Sequence, residues 1–391
     1  MSSPKLSLLF ILNSLEVGGA EKQVVTLLNH LDASRFRLHL AYLKRKEQLR
    51  PQLLTARLQD LSCCDVRRGI EPRAVHQLRR LIAARDIDAI VCTNPFSMLY
   101  GSVARAGSFA RPKLITVFHT TRLRSFKERA QMLLYRRLFA RCDLLMYVSE
   151  NQRRYWRERG VTGAPDCVVH NGIDVEHFSP DQQAGDRADL RRSLGFCAHD
   201  YVIGLCSIFR PEKAHGDLLQ AVVRMRSQGV PAKALLIGDG PERVNIEHTI
   251  EELRLQEHVR ITGMRSDVRP YINCCDVMTL VSHSVETFSL AALESMALGK
   301  ALVVSDVGGA SEQVVHGESG FLFAAGDVTA LTRHLSALHC EPLRLDFGNA
   351  AAQRVRQLFT LDAMVRGFSD RIESLLAHDR SSIEFKPLRR T

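Results

Sequence analysis

Two glutamates, Glu286 and Glu294, flank the predicted start of a helix, and their spacing could serve a ligand that binds there. Ser and Thr cluster before a run rich in Ala, Leu and Met, so we predict that the helix begins near residues 287–289. Glu286 then lies in the preceding loop. Because a helix rises ~1.5 Å per residue, Glu294 lies several Å deeper, in the second helical turn.

The helix start between these glutamates suits a diphosphate, because its N–H groups have no partner within the helix and carry the positive end of the helix dipole. A carboxylate on each side could accept hydrogen bonds from hydroxyls of two flanking sugars, and a nucleotide-sugar has this layout. The candidate residues at the helix start are Thr287, Phe288, Ser289 and Leu290.

A simpler interpretation makes Glu286 an acid favoured by the helix dipole and Glu294 a solvated surface residue. The setting of Glu294 argues against it, because an unpaired carboxylate is costly in an otherwise apolar run. Both glutamates are therefore candidates for contact with a ligand.

Short runs rich in Val, Ile and Leu alternate with longer segments of helical periodicity in both halves of the chain. This alternation predicts β-α-β units and parallel sheets covered on both faces. The predicted strands are 6–12, 38–43, 89–91, 114–118 and 144–148 in the first half, and 202–206, 234–237, 259–262, 277–281 and 302–305 in the second. We expect an α/β protein of two Rossmann-like doubly wound parallel-sheet domains with an interdomain cleft.

The domain junction is predicted at the Asn-Gly turn and polar stretch that follow Val169. With 391 residues and 45% hydrophobic content, the chain is long enough for two cores. We predict an N-terminal domain at 1–175, a C-terminal domain at 176–365, and a C-terminal helix and tail at 366–391 that packs back toward the N-terminal domain.

Both halves open with a strand, a loop and an amphipathic helix, and open α/β sheets bind ligands at the carboxyl ends of their strands. The first of these loops contains Gly18 and Gly19, whose small size would let a phosphate approach the backbone, although a plain tight turn explains the pair as well. The second contains Arg210 to Lys213. Both loops are expected to face the cleft.

The net charge of +10 is unevenly distributed, because residues 1–180 carry 29 Lys and Arg against 16 Asp and Glu. This excess favours an anionic partner, either a membrane surface or a phosphorylated acceptor, although an arginine-rich proteome explains it equally well. The scattered cysteines lack a C-x-x-C pattern and the histidines lack metal-ligand spacing, so we predict neither disulfides nor a structural metal.

The apolar run at 6–12 is too short for a signal peptide and has no small-residue cleavage site. No other uninterrupted apolar run approaches the ~20 residues needed to cross a bilayer. We therefore expect a cytoplasmic protein with peripheral contact at the inner face of the cell membrane. With one tryptophan in the chain, binding to single-stranded nucleic acid is not expected.

The segment from Glu286 to Glu294 resembles the E-x7-E core of the family 4 retaining glycosyltransferases, which have two facing Rossmann-like domains, the glycosyltransferase B fold. Other segments resemble the family in the same order, at 18–21, 170–174, 211–213, 238–241, 297–300 and 305–312. The resemblance covers roughly residues 6 to 330.

This resemblance implies that Glu286 contacts hydroxyls of the donor sugar, Glu294 the ribose and Lys213 the diphosphate. A mobile ammonium suits the last role, because it stabilises the departing nucleoside diphosphate. An exposed surface lysine is the alternative for Lys213. His119, at the end of a predicted strand, would lie near the sugar and the acceptor, although a lone histidine there is more often structural.

The loop of Gly263, Met264 and Arg265 resembles the one that holds the nucleobase, largely through its backbone. Many family members carry an arginine five residues before the lysine, where this chain has Ile208. Arg210 lies three residues before the lysine and is the candidate to replace that arginine in binding phosphate.

A basic helix is predicted between Arg122 and Arg141, where apolar residues recur at helical spacing among seven Lys and Arg. The pattern is typical of an interfacial membrane helix and equally of a helix packed on its own sheet. We favour core packing for the leucines and membrane contact for the arginines.

The resemblance implies that the chain transfers a hexose from a nucleotide-diphosphate sugar to a glycan or lipid-linked acceptor in cell-surface polysaccharide synthesis, with retention of anomeric configuration. No cofactor and no divalent metal are expected, because a well-placed D-x-D pair is lacking. The alternatives are a nucleotide-sugar epimerase or phosphorylase of the same fold and a non-catalytic nucleotide-sugar-binding relative. The intact glutamate pair argues against the last.

Overall fold

The computed structural model describes residues 4–119, 126–180 and 187–384, and the chain divides into two compact units. The N-terminal unit comprises residues 1–170 and 364–391, and the C-terminal unit comprises residues 171–363. The chain therefore passes between the units at 170/171 and at 363/364, whereas the sequence placed the boundaries at 175/176 and 365/366.

The described residues of the N-terminal unit form one parallel sheet of seven strands. These are β1 Leu6–Leu12, β2 Phe36–Tyr42, β3 Leu58–Cys63, β4 Ala89–Thr93, β5 Lys113–Phe118, β6 Leu144–Tyr147 and β7 Asp166–Val168, in the spatial order β3-β2-β1-β4-β5-β6-β7. The order reverses between β1 and β4, and ligands of open α/β sheets bind outside the carboxyl ends of strands at such a point.

The helices of this unit cover the sheet and bury its strands. They are α1 Gly19–His30, α2 Pro72–Ala84, α3 Asn94–Ala106, α4 Phe126–Phe139 and α5 Glu150–Glu158. Residues 8–12 of β1 are almost completely excluded from solvent, which explains why this strand is a continuous apolar run rather than an alternating one.

The C-terminal unit repeats the architecture within its described residues, with six parallel strands in the order β10-β9-β8-β11-β12-β13. In chain order its elements are α6 Arg187–Ser193, β8 Tyr201–Cys206, α7 His215–Ser227, β9 Ala232–Ile237, α8 Arg243–Glu252, β10 Val259–Ile261, α9 Arg269–Cys274, β11 Val277–Leu280, α10 Leu290–Ala297, β12 Leu302–Ser305, α11 Ala310–Gln313, β13 Gly320–Phe323, α12 Val328–Ala337 and α13 Glu341–Leu358. The two parallel-sheet α/β units confirm the predicted fold class.

The last helix, α14 (Leu361–Glu384), starts in the C-terminal unit and continues in the N-terminal unit. Its Phe368 ring stacks on Phe10 of β1 at 6.0 Å between ring centres. Its Glu373 accepts a hydrogen bond of 2.8 Å from Nε of Arg35. This helix therefore adds buried apolar surface and an ion pair to the N-terminal unit.

Three strands were not predicted from the sequence: β3, β7 and β13. All three lie at an edge of their sheet, so each has one neighbouring strand instead of two. Strand β3 is only half-buried along its length, and β7 has three residues. Edge strands of this kind lack the long apolar run by which the central strands are recognised.

The predicted basic helix is α4, although residues 120–125, with Arg122 and Arg124, lie outside the described residues. Met132 and Phe139 are buried in the core of the unit, and Leu138 packs against it. Leu133 is 63% exposed, so core packing is wrong for this leucine. It follows Met132 directly and lies one residue outside the helical repeat that carries the buried side chains.

The aromatic packing around Phe118, at the end of β5, can be used to test the hydrophobic core of the N-terminal unit. Its ring lies 5.0 Å from Phe139 and 4.9 Å from Trp156, and all three side chains are buried. We expect Phe118→Ala to lower the free energy of unfolding by ~3–5 kcal/mol, because it leaves a cavity. Urea denaturation followed by the fluorescence of Trp156, the single tryptophan, measures this loss.

Phe109→Ala is the matched control, because the Phe109 side chain is fully exposed in the same unit. This substitution should change the free energy of unfolding by less than ~0.5 kcal/mol. Equal losses for the two variants would contradict the packing described for Phe118.

Candidate functional site

The glutamate loop, residues 281–289, leaves the carboxyl end of β11 and is held by the loops of both neighbouring strands. On the β8 side, the N–H of His283 donates to the carbonyl of Glu212 at 2.9 Å. On the β12 side, the N–H of Gly309 donates to the carbonyl of Thr287 at 3.0 Å. Three loops at this edge of the sheet are thus joined through their main chains.

Glu286 forms an ion pair with Lys213 at the centre of these loops. Its Oε2 accepts hydrogen bonds from Nζ of Lys213 and, at 3.0 Å, from Oγ of Ser282. The side chains of Glu286 and Lys213 are 13% and 20% exposed. Lys213 ends a short 3-10 turn after β8, so it is not the exposed surface lysine of the alternative interpretation.

Gly308, in the loop after β12, lies directly against the main chain of Glu286. Its φ of +62° is left-handed, and a Cβ at this position would overlap the carbonyl oxygen of Glu286. Glycine is required on both counts. This contact fixes the position of the Glu286 main chain relative to the loop after β12.

Helix α10 begins at Leu290 with Ser289 as its N-cap, which confirms the predicted helix start. The main chain of Ser289 is also engaged by the buried amide of Gln313. The Ser289 N–H donates to Gln313 Oε1 at 3.0 Å, and Gln313 Nε2 donates to the Ser289 carbonyl at 2.8 Å. Contrary to the prediction, the Ser289 N–H is therefore not available to a diphosphate in this structure.

Glu294 lies in the second turn of α10 and is 3% exposed. This burial excludes the interpretation of Glu294 as a solvated surface residue. A ribose hydroxyl is one polar group that a carboxylate at this position could bind. The assignment of Glu294 to the ribose, like those of Thr287, Phe288 and Leu290 to the donor, stays a prediction.

The remaining predicted residues of the C-terminal unit lie at the same edge of its sheet. Gly263 has a φ of +72° and forms a bridge with Gly238 at the ends of β10 and β9. Met264 is exposed, and the guanidinium of Arg265 lies 4.9 Å from the Tyr271 ring centre. Arg210 is half-buried at the start of the Lys213 turn.

Three predicted residues, Gly18, Gly19 and His119, lie in the N-terminal unit at the carboxyl ends of β1 and β5. Neither glycine has a positive φ, and a Cβ at Gly19 would meet no atom within 4 Å. A turn that needs a positive φ therefore does not explain the pair. Burial lowers the pKa of His119 to about 4, so its imidazole is neutral at pH 7.

A wide cavity of about 840 Å³ opens at the opposite, amino-terminal edge of the C-terminal sheet and is lined by Arg187, Arg191 and Lys300. Both arginines contact Asp276, and Nζ of Lys300 donates to two main-chain carbonyls at 3.2 and 2.9 Å. These cations are already engaged within the fold. The cavity also lies away from the strand ends that bind ligands in sheets of this type.

Three residues at the glutamate loop were missed from the sequence: Ser282, Gly308 and Gln313. Ser282 belongs to the Ser-rich stretch before the helix, and Gly308 lies in a segment that resembles the family. Their contacts with Glu286 and Ser289 could not be foreseen, because they depend on how loops from different strands meet.

Among the described residues, no group of three or more His, Cys, Asp or Glu is arranged to hold a metal ion. The expectation that no divalent metal is needed stays a prediction. All ten cysteines lie in the described ranges as free thiols. No helix of the described part of the chain is long and apolar enough to span a bilayer.

Two family models match the chain. The model described as glycosyl transferases group 1 matches residues 186–354, and the model described as glycosyltransferase family 4 matches residues 17–177. Together they cover most of each unit and all of the predicted site residues.

Similar proteins of known name are sugar transferases. The N-acetyl-alpha-D-glucosaminyl L-malate synthase of Bacillus anthracis is 29% identical over 55% of this chain and 55% of its own length. The chain therefore spans about half of that relative. The GDP-mannose-dependent alpha-(1-6)-phosphatidylinositol monomannoside mannosyltransferase of Mycolicibacterium smegmatis is 27% identical over 70% of this chain and 73% of its own length.

Among solved structures, Anabaena Alr3699/HepE in complex with UDP matches with a TM-score of 0.82 and 21% identity, over 94% of this chain and 100% of that one. The same protein in complex with UDP-glucose matches with a TM-score of 0.80. These likenesses establish the fold, which is the glycosyltransferase B fold.

The close approach of Gly308 to Glu286 can be tested with a matched pair of glycine substitutions. Gly308→Ala must push the glutamate loop away, so we expect it to abolish thermal stabilisation by nucleotide-sugars and to lower stability. Gly317→Ala is the control, because Gly317 has a φ of +82° and open space around its Cβ position. It should cost only the ~1–2 kcal/mol of left-handed strain. Equal thermal stabilisation of the two variants by nucleotide-sugars would contradict the inferred contact between Gly308 and Glu286.

His215, at the start of α7, predicts acid destabilisation of the C-terminal unit. Burial, with a smaller effect from the charge of Lys213, lowers its pKa to about 4. The unfolded chain takes up the proton near pH 6.5, so stability is complete above pH 6.5 and falls toward pH 4 by ~1.4 kcal/mol per pH unit.

Urea denaturation at pH 7, 6 and 5 measures this slope, which His215→Asn should reduce by about that amount. His248→Asn is the control, because His248 is exposed on α8 of the same unit. It should keep the wild-type slope. An unchanged slope in His215→Asn would show that another group dominates the acid response.

Proposed function

The chain belongs to the glycosyl transferases group 1 family, and on this premise we propose that it transfers a hexose from a nucleotide-diphosphate sugar to a hydroxyl of a glycan or lipid-linked acceptor. The anomeric configuration is retained in this reaction. The process it serves is the synthesis of a cell-surface polysaccharide.

The observation that carries this proposal is the Glu286–Lys213 ion pair beside the start of α10. A nucleotide-sugar needs a cation at its diphosphate and an acceptor of hydrogen bonds at its sugar hydroxyls. The pair holds both groups side by side, with the buried Glu294 one turn further along the helix. Separately, none of these side chains would define a donor site.

In the proposed complex, Lys213 turns from Glu286 to the diphosphate, and Glu286 accepts hydrogen bonds from the hexose. The bond from the anomeric carbon to the diphosphate oxygen breaks, and the bond to the acceptor oxygen forms on the same face. The acceptor proton passes to the leaving phosphate. Lys213 stabilises the negative charge that develops there, as a mobile point charge.

His119 contributes differently, because its low pKa leaves it neutral at pH 7. A neutral imidazole can exchange hydrogen bonds with sugar or acceptor hydroxyls, but it cannot balance the charge of a diphosphate. We therefore assign His119 to the orientation of hydroxyl groups. Its main-chain N–H donates to Asn94 at 3.0 Å, which ties β5 to the start of α3.

The donor class is supported by the relatives, one of which is named for GDP-mannose and one of which was solved with UDP and UDP-glucose. These bases and sugars differ, so they support a nucleotide-diphosphate sugar and no single member of that class. The loop at Gly263 to Arg265 is the proposed site of the base, and no divalent metal takes part.

We also propose a cytoplasmic location with peripheral contact at an anionic membrane through the N-terminal unit. The support is the excess of 29 Lys and Arg over 16 Asp and Glu in residues 1–180. On α4, Leu133 and Arg137 are exposed on the surface, where an apolar and a cationic side chain suit a lipid interface.

Substitution of Glu286 tests the proposed reaction. We expect Glu286→Gln, which keeps the size and removes the charge, to lower kcat at least 100-fold while circular dichroism shows an intact fold. Transfer is measured with a panel of nucleotide-sugars, with and without an acceptor mixture. Turnover that needs no acceptor would indicate an epimerase instead.

The control is Glu252→Gln, because Glu252 is an exposed carboxylate on α8. It should retain wild-type kcat. Full activity of Glu286→Gln would refute the role assigned to the ion pair, and with it the proposed function.

A further inference from the structure

Two buried residues contact the glutamate loop close to the points where the chain passes from one unit to the other. The passages occur at 170/171 and 363/364. We propose that Asn171 and Phe359, which lie beside them within the C-terminal unit, are positioning residues that hold the glutamate loop in the register needed to bind the donor. This inference rests on the proposed function and concerns residues with no assigned role.

The segments next to the two passages pair with each other. The N–H of Ile173 donates to the carbonyl of Phe359 at 2.9 Å, and the N–H of Leu361 donates to the carbonyl of Ile173 at 2.8 Å. Ile173 and Thr360 form a parallel β-bridge between them. Segments near the start and the end of the C-terminal unit are therefore fixed to one another.

Both segments then contact the same residue of the glutamate loop, Phe288. Nδ2 of Asn171 donates to the Phe288 carbonyl at 3.0 Å, and both groups are buried. The Phe288 and Phe359 rings meet edge to face, with 5.2 Å between their centres. One contact holds the main chain of Phe288 and the other holds its side chain.

Phe288 lies two residues after Glu286 and directly before Ser289, the N-cap of α10. A displacement of its carbonyl therefore moves Glu286 relative to the helix that carries Glu294. Donor binding needs both carboxylates in place, and a misplacement of about 1 Å can cost ~100-fold in rate.

Arg354 joins Phe359 to the other side of the loop. Its guanidinium donates to the main-chain carbonyls of Gln313 and Glu312, at 2.8 and 2.7 Å, and lies 5.7 Å from the Phe359 ring centre. Gln313 in turn holds the N–H and carbonyl of Ser289. The loop is thus held at two successive residues, Phe288 and Ser289, and Phe359 contacts Phe288 and Arg354.

A purely structural role for Asn171 makes a different prediction from a positioning role. A buried amide that only satisfies a carbonyl contributes stability, so its loss would lower Tm and leave the KM of the folded enzyme unchanged. A positioning residue affects the donor specifically. Its loss raises the KM for the donor and lowers kcat, while the KM for the acceptor stays the same.

The experiment compares Asn171→Asp with Tyr201→Phe in steady-state kinetics and thermal unfolding. Asn171→Asp keeps the size and replaces the donor to the Phe288 carbonyl with an acceptor. Tyr201→Phe also removes a buried donor to a main-chain carbonyl, that of Leu335 at 3.0 Å, but at the amino-terminal edge of the sheet. Tyr201→Phe should lower Tm by roughly 2–4 °C, and Asn171→Asp should lower it further, because a buried carboxylate then faces the Phe288 carbonyl.

We expect Asn171→Asp to raise the donor KM about tenfold or more, and Tyr201→Phe to leave it at the wild-type value. Phe359→Leu, which keeps an apolar side chain and loses the ring contact, should raise the donor KM as well, and it decides the question if Asn171→Asp does not fold. If the folded Asn171 or Phe359 variant keeps the wild-type KM for the donor, the positioning role is refuted and the proposed function is unaffected. A wild-type protein that turns over no nucleotide-sugar overturns the proposed function, and this inference with it.

Discussion

The contact between the Glu286 carboxylate and the Lys213 ammonium joins residues 73 positions apart, and the candidate site is built around it. Strands β8 and β11 are neighbours in a parallel sheet, so their carboxyl ends bring both loops to one edge. Both charges lose hydration when partly buried, and such a pair is favourable only while its geometry is kept. The hydrogen bonds between the main chains of the loops maintain the geometry of this pair. The same pair can open toward a ligand that offers a diphosphate and hydroxyl groups.

The loops at the carboxyl ends of the C-terminal strands are held in place because their backbones pack closely against each other. Gly308 lies against the carbonyl of Glu286, and Gly238 and Gly240 lie against carbonyls in the loop after β8, where a Cβ would collide. Glycine allows the contact at each place because it lacks that atom. Two buried amides then bind main-chain groups of the glutamate loop. The result is a rigid support for two carboxylates, which is what precise binding requires.

The surroundings of Lys213 show that this support has a local cost. Ala214, the next residue, has a left-handed backbone (φ 47°, ψ 44°), which is unfavourable for a residue with a Cβ. His215 is held neutral in a buried position with its Nε2 3.1 Å from Oγ of Ser207. The strained backbone of Ala214 reduces stability at any pH, and the neutral buried histidine reduces it at low pH. They are typical of segments shaped for binding rather than for packing alone.

The class of fold and the central strands could be predicted from the sequence, because strands buried on both faces must be continuous apolar runs, as β1 is. The sequence also located the start of α10, since Ser289 before an Ala- and Leu-rich run is a local capping pattern. Edge strands β3, β7 and β13 escaped prediction because they are short or less buried. The contacts between distant residues could not be predicted in this way: Lys213 pairs with Glu286, Gln313 accepts from the Ser289 N–H, and Asn171 donates to Phe288. Local patterns specify helices and strands through interactions a few residues apart, whereas these contacts depend on which loops the sheet order places side by side.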